Sequence, residues 1–134
     1  MEAHTITSMS HRFEITVEET HGLPVVRVAG RLEQESVSAV ERVLRGLLQQ
    51  GRFQIVLDCS RLTYLNSAAG RGLLLCQQEA RDGGGELKWA GLRDDTLTML
   101  LLLQGKASLW SFQTCEEALI ASTKYGEKNV ATVY

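Results

Sequence analysis

The chain has 134 residues, enough for a single core without metals or disulfides, so we expect one domain. Its formal net charge is -2, and it has no basic run that could neutralise a row of phosphates, so nucleic acid is not expected as a partner. Three widely spaced cysteines lack the paired spacing of a zinc or redox site. We expect reduced, mostly buried thiols at Cys59, Cys76 and Cys115.

The N-terminal residues, MEAHTITSMSHR, have neither the basic start nor the apolar stretch of a secretory signal. The longest leucine-rich run, Leu97 to Leu103, is far shorter than the ~20 residues of a membrane span. We therefore expect a soluble, cytoplasmic protein that does not insert into a membrane.

Two strands and a helix are predicted first. Apolar and polar side chains alternate from Phe13 to Val17 and, less cleanly, from Pro24 to Ala29, which predicts a pair of strands. From Ser36 to about Gly51 the apolar period changes to three and four, which is typical of a helix. Ser38 and Glu41 have the spacing of a capping box at its start.

Strands and helices then alternate to the end of the domain. Capping residues, glycines and short apolar runs mark their bounds. The predicted elements are a strand at Phe53–Leu57, a helix at Ser67–Arg81, a strand at Glu86–Ala90, a helix capped by Asp94 or Asp95 and ending near Gln104, a strand at Leu109–Phe112 and a helix capped by Thr114 with Glu117 and with Lys124 near its end.

The predicted order is ββαβαβαβα, which indicates an α/β domain. Strands separated by single helices need crossover connections, so we expect a mixed, mostly parallel sheet packed with about four helices. We place the domain at residues 12–125, with a flexible N-terminal tail at 1–11 and a C-terminal tail at 126–134.

The segment IVLDCSRLTYLNSAAGRGLLL resembles the signature of STAS domains of the anti-sigma-factor antagonist type. In that family a strand ends in Asp-x-Ser, and after a short apolar loop Asp-Ser opens a helix. VVRVAGRLE, GELKWAGL and SLWSFQTCEEAL also resemble the family, so the likeness extends from about Arg12 to Lys124. It implies a single STAS-like domain with the element order given above.

The resemblance also implies a function. The family's phosphate acceptor is the serine or threonine at the helix start, which corresponds to Ser67. The chain would then be a phosphoprotein in signal transduction and transcription regulation, an antagonist that binds a serine-kinase anti-sigma factor. The alternative is a STAS subunit of a stressosome-like or lipid-transport ATPase assembly without sigma-factor control. The implied partner-binding residues are Asp58, Ser60, Asn66, Ser67, Gly70 and Arg71.

The chain departs from the family pattern at two positions. Asn66 replaces the usual aspartate, and Ala69 replaces a glycine. An asparagine still caps a helix through its amide oxygen, but it supplies no negative charge for a kinase. We expect Asn66 to be the cap, which leaves Ser67 free.

Simpler roles remain open for several of these residues. Ser67 would be an ordinary helix-start serine, and Asp58 and Ser60 would be turn formers that bond local amides. Gly70 and Gly72, inside a predicted helix, fit either a tight helix-to-sheet contact or close approach of a partner.

No catalytic or metal site is predicted. His4, His11 and His21 lack metal-ligand spacing, and no serine, histidine and acid group assembles near Ser67. Gly83 to Gly85 lack the following lysine of a phosphate loop. We expect no enzymatic activity and no cofactor; ATP and magnesium would belong to the partner kinase.

The leucines of the third predicted helix form a stripe too wide for one face of a surface helix. Either this helix is unusually buried, or part of it meets another chain, for example in a homodimer. The stripe comprises Leu97, Leu100, Leu101 and Leu103, with Met99 and Leu102 beside it.

Overall fold

The structure, a computed structural model, describes residues 3–7, 13–122 and 132–133. In these ranges, seven strands form one sheet, in which each strand lies beside its neighbours in sequence. The strands are β1 (Ala3–Thr7), β2 (Phe13–Thr20), β3 (Leu23–Leu32), β4 (Gln54–Leu65), β5 (Glu86–Ala90), β6 (Trp110–Phe112) and β7 (Thr132–Val133). The helices are α1 (Gln34–Gln49), α2 (Ser67–Asp82), α3 (Asp94–Gln104) and α4 (Cys115–Ala121).

The sheet is mixed, as predicted. Strands β3 to β6 are mutually parallel, and β2 pairs with β3 antiparallel. Strands β1 and β7 add antiparallel pairs at the two edges. Both lie in the segments predicted as tails, residues 1–11 and 126–134. The α/β class and the order of the five inner strands and four helices are confirmed.

Helices cover both faces of the sheet. The connections through α1, α2 and α3 join neighbouring parallel strands in sequence order, and right-handed crossovers place such helices on one face. Their apolar faces bury the main core together with Leu57 and Trp89, which have almost no exposed surface. Helix α4 covers the other face through Ala118 and Ala121, which pack against a smaller cluster that includes Val56.

A buried polar contact fixes α2 on the sheet and against α3. Trp89 on β5 donates its indole N–H to Oε1 of Gln77 at 2.8 Å, and the Gln77 amide donates to Gln104 at 3.3 Å. The polar atoms of these buried side chains are thereby satisfied, which avoids the cost of burying them unpaired. The position of α2, and so of Ser67 at its start, is therefore set by the core.

Two predicted helix caps are wrong. Helix α1 begins at Gln34, because Glu33 and Ser36 form the capping box and the Ser36 hydroxyl accepts a hydrogen bond from the Glu33 amide at 2.9 Å. Ser38 instead bonds a backbone carbonyl within the helix. Helix α3 is preceded by Arg93, which makes no side-chain cap, and the predicted caps Asp94 and Asp95 lie in its first turn. The Thr114 cap of α4 is confirmed by its bond from the Glu117 amide at 3.1 Å, whereas Lys124 lies outside the described residues.

Candidate functional site at the start of α2

Strand β4 carries the chain to the start of α2. It extends eight residues past its predicted end at Leu57, because β3 continues beside it through two irregularities in register. The last pair in this ladder joins Leu32 to Leu65, and the Asn66 amide donates to the Leu32 carbonyl at 3.2 Å. The residue before α2 is thus fixed by the end of β3.

Asn66 caps α2, as predicted. Its backbone is extended, its side-chain oxygen accepts from the Ala69 amide at 2.9 Å, and its carbonyl accepts from the Gly70 amide at 2.9 Å. Ser67 is exposed, and its hydroxyl forms no hydrogen bond within the described part of the chain. The hydroxyl is therefore not needed to start the helix.

Ser67 begins an exposed row of side chains along α2, which we call the α2 stripe and define as Ser67, Arg71 and Leu75. Residues four apart are neighbours on a helix surface, and all three are exposed, Leu75 to 60%. Arg71 has no ion pair or hydrogen bond to any described residue. The stripe thus presents a hydroxyl, a free cation and an apolar side chain in succession.

Two further arginines lie at the strand ends near this helix start. Arg31 stacks over the Tyr64 ring at 4.2 Å and pairs with Glu33 at 3.1 Å. Arg93, in the β5–α3 connection, donates to the Thr63 carbonyl at 3.4 Å. Arg31, Tyr64 and Arg93 were not predicted as site residues from the sequence. The feature that could have indicated these residues is their position at the carboxyl ends of parallel strands, where loops from neighbouring strands meet.

Gly70 is buried and does not belong to the exposed α2 stripe. It is buried against α3, where an added Cβ would lie 3.1 Å from Leu103 and 3.2 Å from Leu100. Gly72 is also buried and faces Glu41 of α1. The two glycines allow close contacts between helices, whereas the sequence had suggested a helix-to-sheet contact. A partner contact at Gly70 stays a prediction.

Asp58 and Ser60 belong to a second cluster. Asp58 is only 7% exposed and, like Val56 two residues earlier, it points to the face that α4 covers. It accepts from the Arg27 guanidinium at 3.2 Å and from the Ser60 amide at 3.0 Å. The local amide bond was expected. However, β4 continues for about 20 Å between Asp58 and Leu65, so the structure does not gather all predicted partner-binding residues into one surface.

Arg27 is the centre of this second cluster. Besides Asp58 it pairs with Glu18 and donates to the Cys115 sulfur at 3.8 Å. Burial, followed by the charge of Asp58, raises the pKa of the Cys115 thiol. The groove beside these residues is about 690 Å³ in volume and is also lined by Ser60. Its charges are largely paired with one another, which is typical of a structural ion-pair network.

The three cysteines are free, with Cys59 and Cys76 buried and Cys115 half-buried, as expected. Among the residues that the structure describes, no three histidine, cysteine or acidic side chains are arranged to hold a metal ion. In the same residues, no helix has the length and apolar character needed to cross a bilayer.

Comparison with known proteins agrees with this architecture. The family model described as "Mlab, STAS domain" matches residues 15–105. BtrV of Bordetella bronchiseptica, which carries the name of a candidate anti-sigma factor antagonist, is 25% identical over 111 residues, or 83% of this chain and 95% of BtrV.

Solved structures show the same fold. An anti-sigma factor antagonist from Mycobacterium paratuberculosis matches with a TM-score of 0.70 and 20% identity, covering 87% of this chain and 97% of that one. The Bacillus cell fate determinant SpoIIAA in its phosphorylated form matches with a TM-score of 0.64 and 22% identity, covering 78% of this chain and 96% of that one. The family match spans more than half of the sequence, and the chain belongs to the STAS domain family.

Proposed function

We propose that this protein is a phospho-regulated interaction module: an anti-sigma-factor antagonist that binds a serine-kinase anti-sigma factor and is switched by phosphorylation of Ser67. The observation that carries the proposal is that, at the start of α2, one side chain caps the helix and the next is free to be modified. Asn66 satisfies the helix end, and the neighbouring Ser67 hydroxyl is exposed and unbonded. A phosphate added there displaces no contact on which the fold depends.

The local electrostatics favour a phosphate at this position. The positive end of the helix dipole and the amides of the first turn stabilise negative charge. A phosphoserine carries about -1.5 to -2 charges at neutral pH, which is costly in an interface that fits a neutral hydroxyl. Modification would therefore release the partner while the domain stays folded.

In this account the α2 stripe is the partner-binding surface and the chain itself catalyses no reaction. His21 lies in the turn before β3, at the opposite end of that strand from the start of α2, so it is not placed to act on Ser67. The kinase would bring the ATP, the magnesium ion and the catalytic base. The buried Asp58 cluster would support the sheet from its other face.

Affinity capture from the native cell tests the proposal. The wild-type protein and Ser67→Ala should capture an anti-sigma kinase, whereas Ser67→Asp should capture less, because it places a carboxylate where the interface fits a hydroxyl. The matched control is Ser108→Asp, an exposed serine that precedes β6 and so lies at the opposite end of the parallel strands from Ser67. Capture of a transport ATPase or a scaffold protein that is unaffected by Ser67→Asp would contradict sigma-factor control and favour the alternative assembly.

A further inference from the structure

Arg71 is the uncommitted cation nearest in sequence to Ser67. Of the arginines at this end of the sheet, Arg31 is engaged by Glu33 and the Tyr64 ring, and Arg93 by Asp95 at 3.4 Å. Arg71 is exposed and, within the described residues, forms no ion pair or hydrogen bond. It is therefore available to a new anion.

Helix geometry directs Arg71 toward Ser67. The two residues are four apart on α2, so their Cβ atoms lie on one face, roughly 5–6 Å apart. Long side chains on a helix lean toward its N-terminus, and here that direction leads from Arg71 back over Ser67. An acidic group placed four residues before a basic one is also the more favourable order for a helical ion pair.

The helix end leaves part of a phosphate's charge to be balanced by another group. The Asn66 side chain and carbonyl already take the amides of Ala69 and Gly70. Only the first amides of the helix remain for the phosphate oxygens. A guanidinium, by contrast, donates two parallel hydrogen bonds to a phosphate.

We propose that a phosphate on Ser67 is held by Arg71 in an ion pair between residues four apart on α2. This inference rests on the proposed modification of Ser67 and assigns Arg71 as its positioning residue. The unmodified stripe presents a free positive charge, and the phosphorylated stripe presents a net negative charge with that cation engaged. Phosphorylation would then withdraw an attractive group from the partner as well as add a repulsive one.

Phosphorus NMR on protein with phosphoserine installed genetically at position 67 tests the inference without a kinase or a partner. An adjacent cation favours the dianionic phosphate, so the pair lowers the midpoint of the phosphate titration. Arg71→Gln should raise that midpoint by about 0.3 pH unit, the value that corresponds to a helical ion pair of ordinary strength. Arg71→Lys should stay close to the wild type.

Lys106→Gln is the matched control. This variant also removes one exposed positive charge. Lys106 lies just after α3, and the last residue of α3, Gln104, contacts Gln77 on α2. Gln77 lies ten residues, roughly 15 Å, along α2 from Ser67, so this variant should leave the midpoint unchanged. Equal midpoints in wild type and Arg71→Gln would overturn the ion pair. That result would leave the Ser67 switch standing, because the phosphate is installed without reference to the kinase.

Discussion

Gly91 occupies a backbone position that excludes any larger residue, which makes Gly91→Ala a severe test of the strand-end geometry. It joins β5 to α3, has a φ of +71° and donates its amide to the Phe112 carbonyl at 2.9 Å. An added Cβ would lie 2.7 Å from both Cα and Cβ of Ser60 and 2.9 Å from its amide nitrogen. These Ser60 atoms are in the β4 backbone or bonded directly to it, so no side-chain rotation can relieve the contact.

Two costs add at this site. An L-residue in the left-handed region costs about 1–2 kcal/mol, and overpacking against a fixed neighbour costs about 1–3 kcal/mol. We therefore expect Gly91→Ala to lower the free energy of unfolding by about 2–5 kcal/mol. Gly51→Ala isolates the first cost, because its φ is +79°, it follows α1 where the Arg52 amide donates to the Leu47 carbonyl, and nothing lies within 4 Å of the added Cβ.

Urea denaturation followed by circular dichroism measures both variants. With a slope of about 1.5 kcal/mol per molar urea, Gly91→Ala should lower the midpoint by about 1–3 M. Gly51→Ala should lower it by no more than about 1 M. Equal losses in the two variants would show that the contact between Gly91 and Ser60 contributes nothing, and would refute the reasoning.

Three further results are expected. Asn66→Ala should lower the free energy of unfolding by about 1 kcal/mol because the helix cap is lost, whereas Asn66→Asp should leave this free energy unchanged in thermal denaturation. Equal losses in the two variants would contradict the role of Asn66 as the cap. Leu102→Glu should fold and abolish self-association through α3 in size-exclusion chromatography, because Leu102 is 79% exposed, whereas Leu100→Glu should unfold the chain, because Leu100 is fully buried. Unfolding by both variants would show a buried helix. Burial raises the pKa of the Cys76 thiol from 9.0 to about 12, so the unfolded chain loses this proton at a lower pH than the folded chain. The free energy of unfolding should therefore fall as the pH rises above 9. Urea titrations of Cys76→Ala should show a shallower fall with pH, and a slope equal to that of the wild type would contradict this role of Cys76.

The sequence predicts best those helices and strands whose ends are marked by residues at the ends themselves. Helix α2 was placed to within one residue and β5 without error, because a polar cap or glycines mark their ends. The second half of β4 was not predicted, because its exposed residues, such as Thr63 and Tyr64, interrupt the apolar run that is typical of a buried strand. They are extended because β3 runs beside them, and that pairing is not local. Strand β7 likewise depends on pairing with β6, which precedes α4 in the chain.

The candidate site divides in the same way. The Asn66 cap and the exposed Ser67 follow from the order of residues at one helix start. The burial of Gly70 depends on how α3 packs across α2. The separation of Asp58 from Ser67 depends on the face of β4 that Asp58 takes and on the continuation of β4 to Leu65. Neither can be read from a single segment, so the motif indicated too many residues for one surface.

The role of Ser67 as the switch is tested most directly by phosphate transfer from the captured kinase. The protein is incubated with that kinase, ATP and magnesium, the phosphate is located by mass spectrometry, and affinity for the kinase is measured before and after. The account predicts phosphate on Ser67, none on the Ser67→Ala variant, and weaker binding after modification. No phosphate on Ser67, together with unchanged affinity in Ser67→Ala and Ser67→Asp, would contradict it and leave a constitutive binding module.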